Sequence, residues 1–173
     1  GKTSNEINYA IEQKILLINA ESKSEIKEIE RLAKLKKRKV QIGIRLNPNT
    51  DAKTLTQIST GRKENKFGVN DKSFFELVNY CKKSKNIDLK CLSVHIGSQI
   101  LDHKPYERML RVVSKIIRKI NYKFEFIDLG GGMGISYKDN NKRLNYKSYN
   151  TAIKKFLKNH NSKIIFEPGR SII

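Results

Sequence analysis

Four groups of residues in this sequence have types and spacings suited to chemistry. They are Arg45, His95 with Ser98 three residues on, the run Gly130-Gly131-Gly132, and Glu167-Pro168-Gly169-Arg170. Consecutive glycines bare their backbone N–H groups and let an anion such as a phosphate come close. An imidazole can lie against a flat ring, and a carboxylate can meet a ring nitrogen. Singly, each group has a plainer explanation: a turn that only needs positive φ, a structural histidine, a carboxylate in an ion pair. Together on one rim they describe a site for a phosphorylated, ring-shaped cofactor. The glycines do not form a dinucleotide fingerprint. Counted from Gly130, the G-x-G-x-x-G spacing meets Ile135 where the last glycine should stand.

The elements that must carry these groups alternate. Thr3-Ser4-Asn5-Glu6 has the form of a capping box and opens a helix over about 4–13. The apolar run at 14–20 predicts a first strand over roughly 15–19. Ser22-x-x-Glu25 reads as a second capping box, with Ile26, Ile29, Leu32, Ala33 and Leu35 at helical spacing behind it. Further strands are predicted over 40–46, 89–95, 124–129 and 163–167. Helices are predicted over 72–83, from Pro105 to about 119, and over 146–158, with Pro105 in a first turn where its missing N–H does no harm. Strict alternation with short turns means right-handed βαβ units and a parallel sheet. Arg45, His95, the glycines and Glu167 then fall at the carboxyl ends of successive strands. Polar groups delivered to one rim by strand after strand suit the mouth of a (β/α)8 barrel. An open doubly wound sheet would gather them at one switch point. A barrel needs eight strands and five are read here, so the chain reads as a piece cut from a larger protein.

Bulk composition limits the alternatives. The 173 residues can bury a real core, and no stretch has the length of apolar sequence needed to span a bilayer. Cys81 and Cys91 stand ten residues apart without a second Cys/His cluster, which gives neither metal spacing nor a disulfide framework and suits two reduced cytosolic thiols. The net charge is +19, from 36 basic and 17 acidic residues. The lysines are spread over nearly every segment and no nucleic-acid-binding motif accompanies them. They read as a solvated basic surface of the kind an AT-rich genome encodes, not as a nucleic-acid footprint.

The sequence resembles the diaminopimelate decarboxylases, pyridoxal-phosphate enzymes built on the alanine racemase type of barrel. The resemblance covers essentially the whole chain, through GKTSNEI, NAES, IRLNPNTDAKT, ISTGRKENKFG, HIGSQ, DLGGGMGISY and EPGRSI. HIGSQ, GGG and EPGR are shared more broadly with ornithine and arginine decarboxylases. The stretch over 45–68 is the part that points to diaminopimelate. The resemblance implies that His95 stacks on the pyridine ring and that Ser98 contacts the phosphate. Gly132, with Gly131 beside it, would offer N–H to the phosphate, as would Gly169 from a turn shaped by Pro168. Glu167 would pair with the pyridine nitrogen, and Arg170, near the phosphate, would reach a substrate carboxylate. Arg45 and Lys66 fit supporting or interface roles.

The implied reaction removes CO2 from the D-configured centre of meso-diaminopimelate and leaves L-lysine, in the cytoplasm, in a homodimer of the full-length enzyme. Residues 1–173 would be the central and C-terminal part of the barrel domain. The Schiff-base lysine is expected before residue 1, and a C-terminal β-domain with the catalytic cysteine after residue 173. No complete catalytic set is expected within the chain, and neither Cys81 nor Cys91 lies in the context of that cysteine. Rival readings are another decarboxylase of the same fold, acting on ornithine, arginine or carboxynorspermidine, and a non-enzymatic pyridoxal-phosphate-binding barrel protein.

Overall fold

A computed structural model describes residues 1–48, 67–137 and 143–172. Five helices and five strands alternate: α1 Ser4–Glu12, β1 Ile18–Ala20, α2 Lys23–Leu35, β2 Val40–Leu46, α3 Asp71–Lys83, β3 Ile87–Val94, α4 Lys104–Ile120, β4 Phe126–Asp128, α5 Tyr146–Leu157 and β5 Lys163–Ile165. The sheet is parallel throughout and its order is β1-β2-β3-β4-β5. Each new strand is added on the same side of the last, so right-handed crossovers put every helix on one face. A doubly wound sheet reverses its order at a switch point, and this one does not. The fold is a sector of a (β/α)8 barrel of the alanine racemase type, as expected, with five strands among the described residues.

Local sequence accounts for the ends of the elements. Thr3 Oγ1 accepts the Glu6 N–H while the Glu6 carboxylate accepts the Thr3 N–H at 2.7 Å, completing the box that opens α1. The second predicted box is only half formed. Ser22 caps the Glu25 N–H, but the Glu25 carboxylate turns away and accepts N–H bonds from Glu21 and Lys2. Asn70 and Asn145 cap α3 and α5 through the N–H groups of Ser73 and Ser148. The long apolar stripe of α4, from Tyr106 through Met109, Leu110, Val113, Ile116 and Ile120, is buried against the sheet.

Two differences from the predicted elements have physical causes. The first strand begins at Ile18, because Ile15 and Leu16 lie in the turn leaving α1 and are 50% and 57% exposed. On β3, Leu89 pairs with Ile42 and Cys91 with Gly43, so Lys90 is an extra residue. This bulge resets the side-chain alternation and leaves Ser93 in register with Arg45 on β2 and Asp128 on β4. No described helix is long and apolar enough to cross a membrane.

Candidate cofactor site

A cleft of about 690 Å³ opens at the carboxyl ends of the strands, with Asn19, Arg45, Ser93, His95, Gly97 and Glu167 among its walls. His95 is the first residue beyond β3. Its Nδ1 accepts the Gly131 N–H at 3.3 Å, which assigns the hydrogen of the neutral ring to Nε2. Burial, and then the charge of Arg45, hold its pKa below the ordinary imidazole value against the opposing pull of Asp128. The ring is therefore uncharged at neutral pH. Gly131 thus spends its N–H on His95.

The glycines serve two different purposes. Gly131 and Gly132 lie where backbones cross. A Cβ on Gly131 would come within 2.1 Å of the Glu167 carbonyl oxygen, and one on Gly132 within 2.1 Å of the Gly97 carbonyl oxygen, with Gly132 also at φ +86°. Gly97 and Gly169 are the reverse: a Cβ there would meet nothing within 4 Å. Bare backbone facing open space beside a glycine turn is a surface that a phosphate can approach, and to that extent the residues fit a phosphorylated cofactor.

Gln99 locks the two loops together. It adopts φ +61°, its Oε1 accepts the Ile135 N–H at 3.2 Å, and its Nε2 donates to the Ile135 carbonyl. Ile100 adds N–H to the Gly132 carbonyl at 2.9 Å, and Tyr106 of α4 donates its hydroxyl to the Gly131 carbonyl at 3.2 Å.

Behind Asn19 and Ser93, which line the cleft, lies Asp128, 0% exposed. Asn19 Nδ2 donates to its Oδ2 at 2.6 Å, as does Ser93 Oγ at 3.1 Å, while the Gly130 N–H donates to Oδ1 at 2.8 Å. Asn19 reaches Asp128 from β1 across two intervening strands, over Gly43, where a Cβ would stand 2.0 Å from Asn19 Oδ1. Glu167, just beyond β5, lines the cleft together with Asn19 and Ser93, two of the donors to Asp128. Burial of the Glu167 carboxyl and the Asp128 charge push it above the ordinary glutamate value, while Arg45 pulls the other way. Arg45 is itself tied to Glu21 at 2.7 Å and lies 5.5 Å from the centre of the Phe67 ring.

His95, Gly97 and Glu167 thus share one cleft, and Gly131 and Gly132 pack directly behind it. Ser98, Pro168, Gly169 and Arg170 are exposed on the exits of β3 and β5. The Arg170 guanidinium lies 5.6 Å from the centre of the Tyr137 ring. Lys66 lies outside the described residues. Both thiols are buried, and burial pushes Cys81 and Cys91 up to about 12, which leaves them inert at neutral pH. Asp128, Asn19, Ser93 and Gln99 were not singled out from sequence. A lone acid closing the apolar run before GGG was the available signal for Asp128.

A parallel barrel sector whose rim gathers a neutral imidazole, bare glycine backbone and a carboxyl group has the parts of a site for a phosphorylated ring. Comparison with known proteins gives the same result. Residues 1–173 match the family described as pyridoxal-dependent decarboxylase, pyridoxal binding domain. The chain belongs to this family, whose cofactor is pyridoxal phosphate. It is 42% identical to a diaminopimelate decarboxylase of Helicobacter pylori and 36% identical to that of Aquifex aeolicus, in each case over the whole chain. The chain spans 43% and 42% of the lengths of these relatives. A crystal structure of the Helicobacter pylori diaminopimelate decarboxylase complexed with L-lysine superposes with a TM-score of 0.91 at 41% identity, covering 100% of this chain and 44% of that one. The M. jannaschii diaminopimelate decarboxylase in co-complex with L-lysine gives 0.86 at 30% identity, covering 99% and 42%.

Proposed function

We propose that the protein carrying this chain is a decarboxylase of meso-diaminopimelate that releases CO2 from the D-configured centre and yields L-lysine, the last step of lysine biosynthesis. The observation that carries the reading is the convergence of His95, the glycine exits and the Glu167 carboxyl on one cleft at the strand ends. The choice of substrate is supported by the names of the relatives and by the lysine in two of the similar structures.

Pyridoxal phosphate, when bound, supplies an electron sink for the charge left on carbon as CO2 departs. The chain's own residues make that sink usable. His95, uncharged and fixed by Gly131, covers one face of the ring and keeps water from it. Gly132, Gly169 and Ser98 hold the phosphate, with Pro168 shaping the turn that presents Gly169. Holding the ring fixes the angle at which the breaking bond stands to it, an orientation effect worth several orders of magnitude. Glu167 keeps a proton on the ring nitrogen, without which the ring is a poor acceptor. Arg170 reaches a substrate carboxylate from the rim.

On this reading the remaining strands, the lysine that carries the cofactor, and a C-terminal domain with the catalytic cysteine are supplied by the rest of the enzyme, a cytoplasmic homodimer. The test is Glu167→Gln in the full-length enzyme. Turnover of meso-diaminopimelate should fall at least about tenfold to a hundredfold, the rate equivalent of losing one charge-assisted hydrogen bond. The dissociation constant for pyridoxal phosphate should stay within a few-fold of wild type, because the phosphate contacts survive. Wild-type turnover at saturating cofactor would remove Glu167 from the ring nitrogen.

A further inference from the structure

An amide would fill the place of Asp128 as well as an acid does, so the acid needs a reason. Asp128 is wholly buried, and Asn19 Nδ2 at 2.6 Å, Ser93 Oγ at 3.1 Å and the Gly130 N–H at 2.8 Å all donate to it. A carboxylate accepts at both oxygens, whereas an amide would turn N–H groups against at least one of these donors. Asn19 gives its amide N–H to Asp128 while its Oδ1 stays buried without a hydrogen-bond partner among the described residues. An unmet acceptor costs stability, so this side chain is committed to Asp128. The bonds converge on His95. Ser93 stands two residues before it, at the end of β3. Asp128 Oδ1 holds Gly130 in an Asx-type turn at φ +62°, so close to the imidazole that a Cβ would stand 2.7 Å from Nδ1. The next residue, Gly131, donates its N–H to that same nitrogen. The bond made by one ring nitrogen fixes which of the two carries the hydrogen.

We propose that Asp128 is a positioning residue for His95: by holding Gly130 it aims the Gly131 N–H at Nδ1, which sets the plane of the imidazole and keeps its hydrogen on Nε2. Asn19 and Ser93 both bond Oδ2, and so fix the carboxylate with Oδ1 turned to Gly130. The three donors come from β1, from β3 and from the loop after β4, so one buried side chain ties His95 to the frame of the barrel. The value of this hold to catalysis rests on the function proposed above, in which His95 covers the cofactor ring. The hold itself rests on the bonds alone.

The experiment records the ring-nitrogen NMR resonances of His95 in the full-length enzyme stripped of cofactor, at neutral pH, assigned by their loss in His95→Gln. Wild type should give two widely separated resonances, with the bare nitrogen at Nδ1 and the N–H at Nε2. Asp128→Asn should bring them together as the two tautomers mix. Ser93→Ala leaves Gly130 its acceptor but frees the carboxylate to turn, and should bring them part of the way; it keeps the test decisive even if Asp128→Asn fails to fold. Gln99→Ala loosens the same loops without removing a bond to His95 or Asp128, so there the resonances should stay apart. A hydrogen on Nδ1 in wild type, unchanged resonances in either the Asp128 or the Ser93 variant once folded, or equal mixing in Gln99→Ala overturns the proposal. Loading wild type with pyridoxal phosphate should then shift the His95 signals through the ring current of the cofactor. Signals held as expected but unmoved on loading would leave the role of Asp128 standing and overturn the placement of His95 on the ring.

Discussion

Gly132 and Gly169 are both glycine, for opposite reasons, and substitutions should separate them. At Gly169 a side chain meets no protein atom, so Gly169→Val should leave thermal stability unchanged and raise the cofactor's dissociation constant at least about tenfold, equivalent to roughly 1.4 kcal/mol of lost binding. Gly132→Val forces a Cβ into the Gly97 carbonyl at positive φ, and should lower the melting temperature as well as cofactor affinity. Calorimetric melting and fluorescence titration with pyridoxal phosphate check both. Gln99→Ala removes two hydrogen bonds between loops, worth about 1 kcal/mol each. It should weaken cofactor binding while leaving global unfolding nearly unchanged, since Gln99 ties loops rather than core. At this scale the sequence was legible where a polar group stood out at a strand end, as with His95, Glu167 and the glycines. It was not legible for Asn19 and Ser93, whose importance comes only from meeting Asp128 in space.

Helices show how far local chemistry alone can specify an element. The Thr3 box, the Asn70 and Asn145 caps and the stripe of α4 are all short-range signals, and those elements lie where spacing predicts them. Asn70→Ala should cost about 1 kcal/mol of stability, read as a lower urea midpoint with an unchanged slope. Where local signals fail, a distant partner has intervened. Glu25 has the right spacing for a box on α2, yet Lys2 and the Glu21 N–H offer it more than Ser22 does. The bulge at Lys90 cannot be read from β3 by itself, because it is defined by pairing with β2. Gly43 is likewise ordinary in sequence, and only the Asn19 amide lying over it gives the missing side chain a purpose.

For the whole molecule, two carboxyls set opposite limbs of a pH profile. Burial works against the charge of Glu25, but the Glu21 and Lys2 N–H groups and the Lys2 ammonium outweigh it and hold its pKa below the ordinary value. Folded protein then binds fewer protons than unfolded, and this stability is present above the ordinary glutamate value and lost as pH falls through the folded one. Glu167 is displaced upward, so without cofactor the folded state binds more protons. Its contribution is complete below the ordinary value and lost as pH rises through the folded one. Urea midpoints of the cofactor-free enzyme should therefore decline on both sides. Glu25→Gln should flatten the acid limb, and Glu167→Gln the alkaline limb. The order of the sheet was legible at this scale because strict alternation leaves a barrel few other routes. The charge of +19 was legible only as a surface property, because it says nothing of how strands are ordered.

The bond from Asn19 to Asp128 joins residues 109 positions apart, and time enters the structure through it. During synthesis β1 leaves the ribosome well before β4, and the contact closes only after both have docked. Ser93 and Gly130 are nearer neighbours that can serve Asp128 earlier. Until β4 docks into the sheet that already holds β1, Asp128 is one donor short. The coenzyme thereby becomes a clock for assembly: in refolding, far-ultraviolet circular dichroism should recover first, and the bound-cofactor absorbance should appear at the rate of this last strand docking. Asn19→Ala should break that coincidence by removing the only described donor that β1 gives to Asp128.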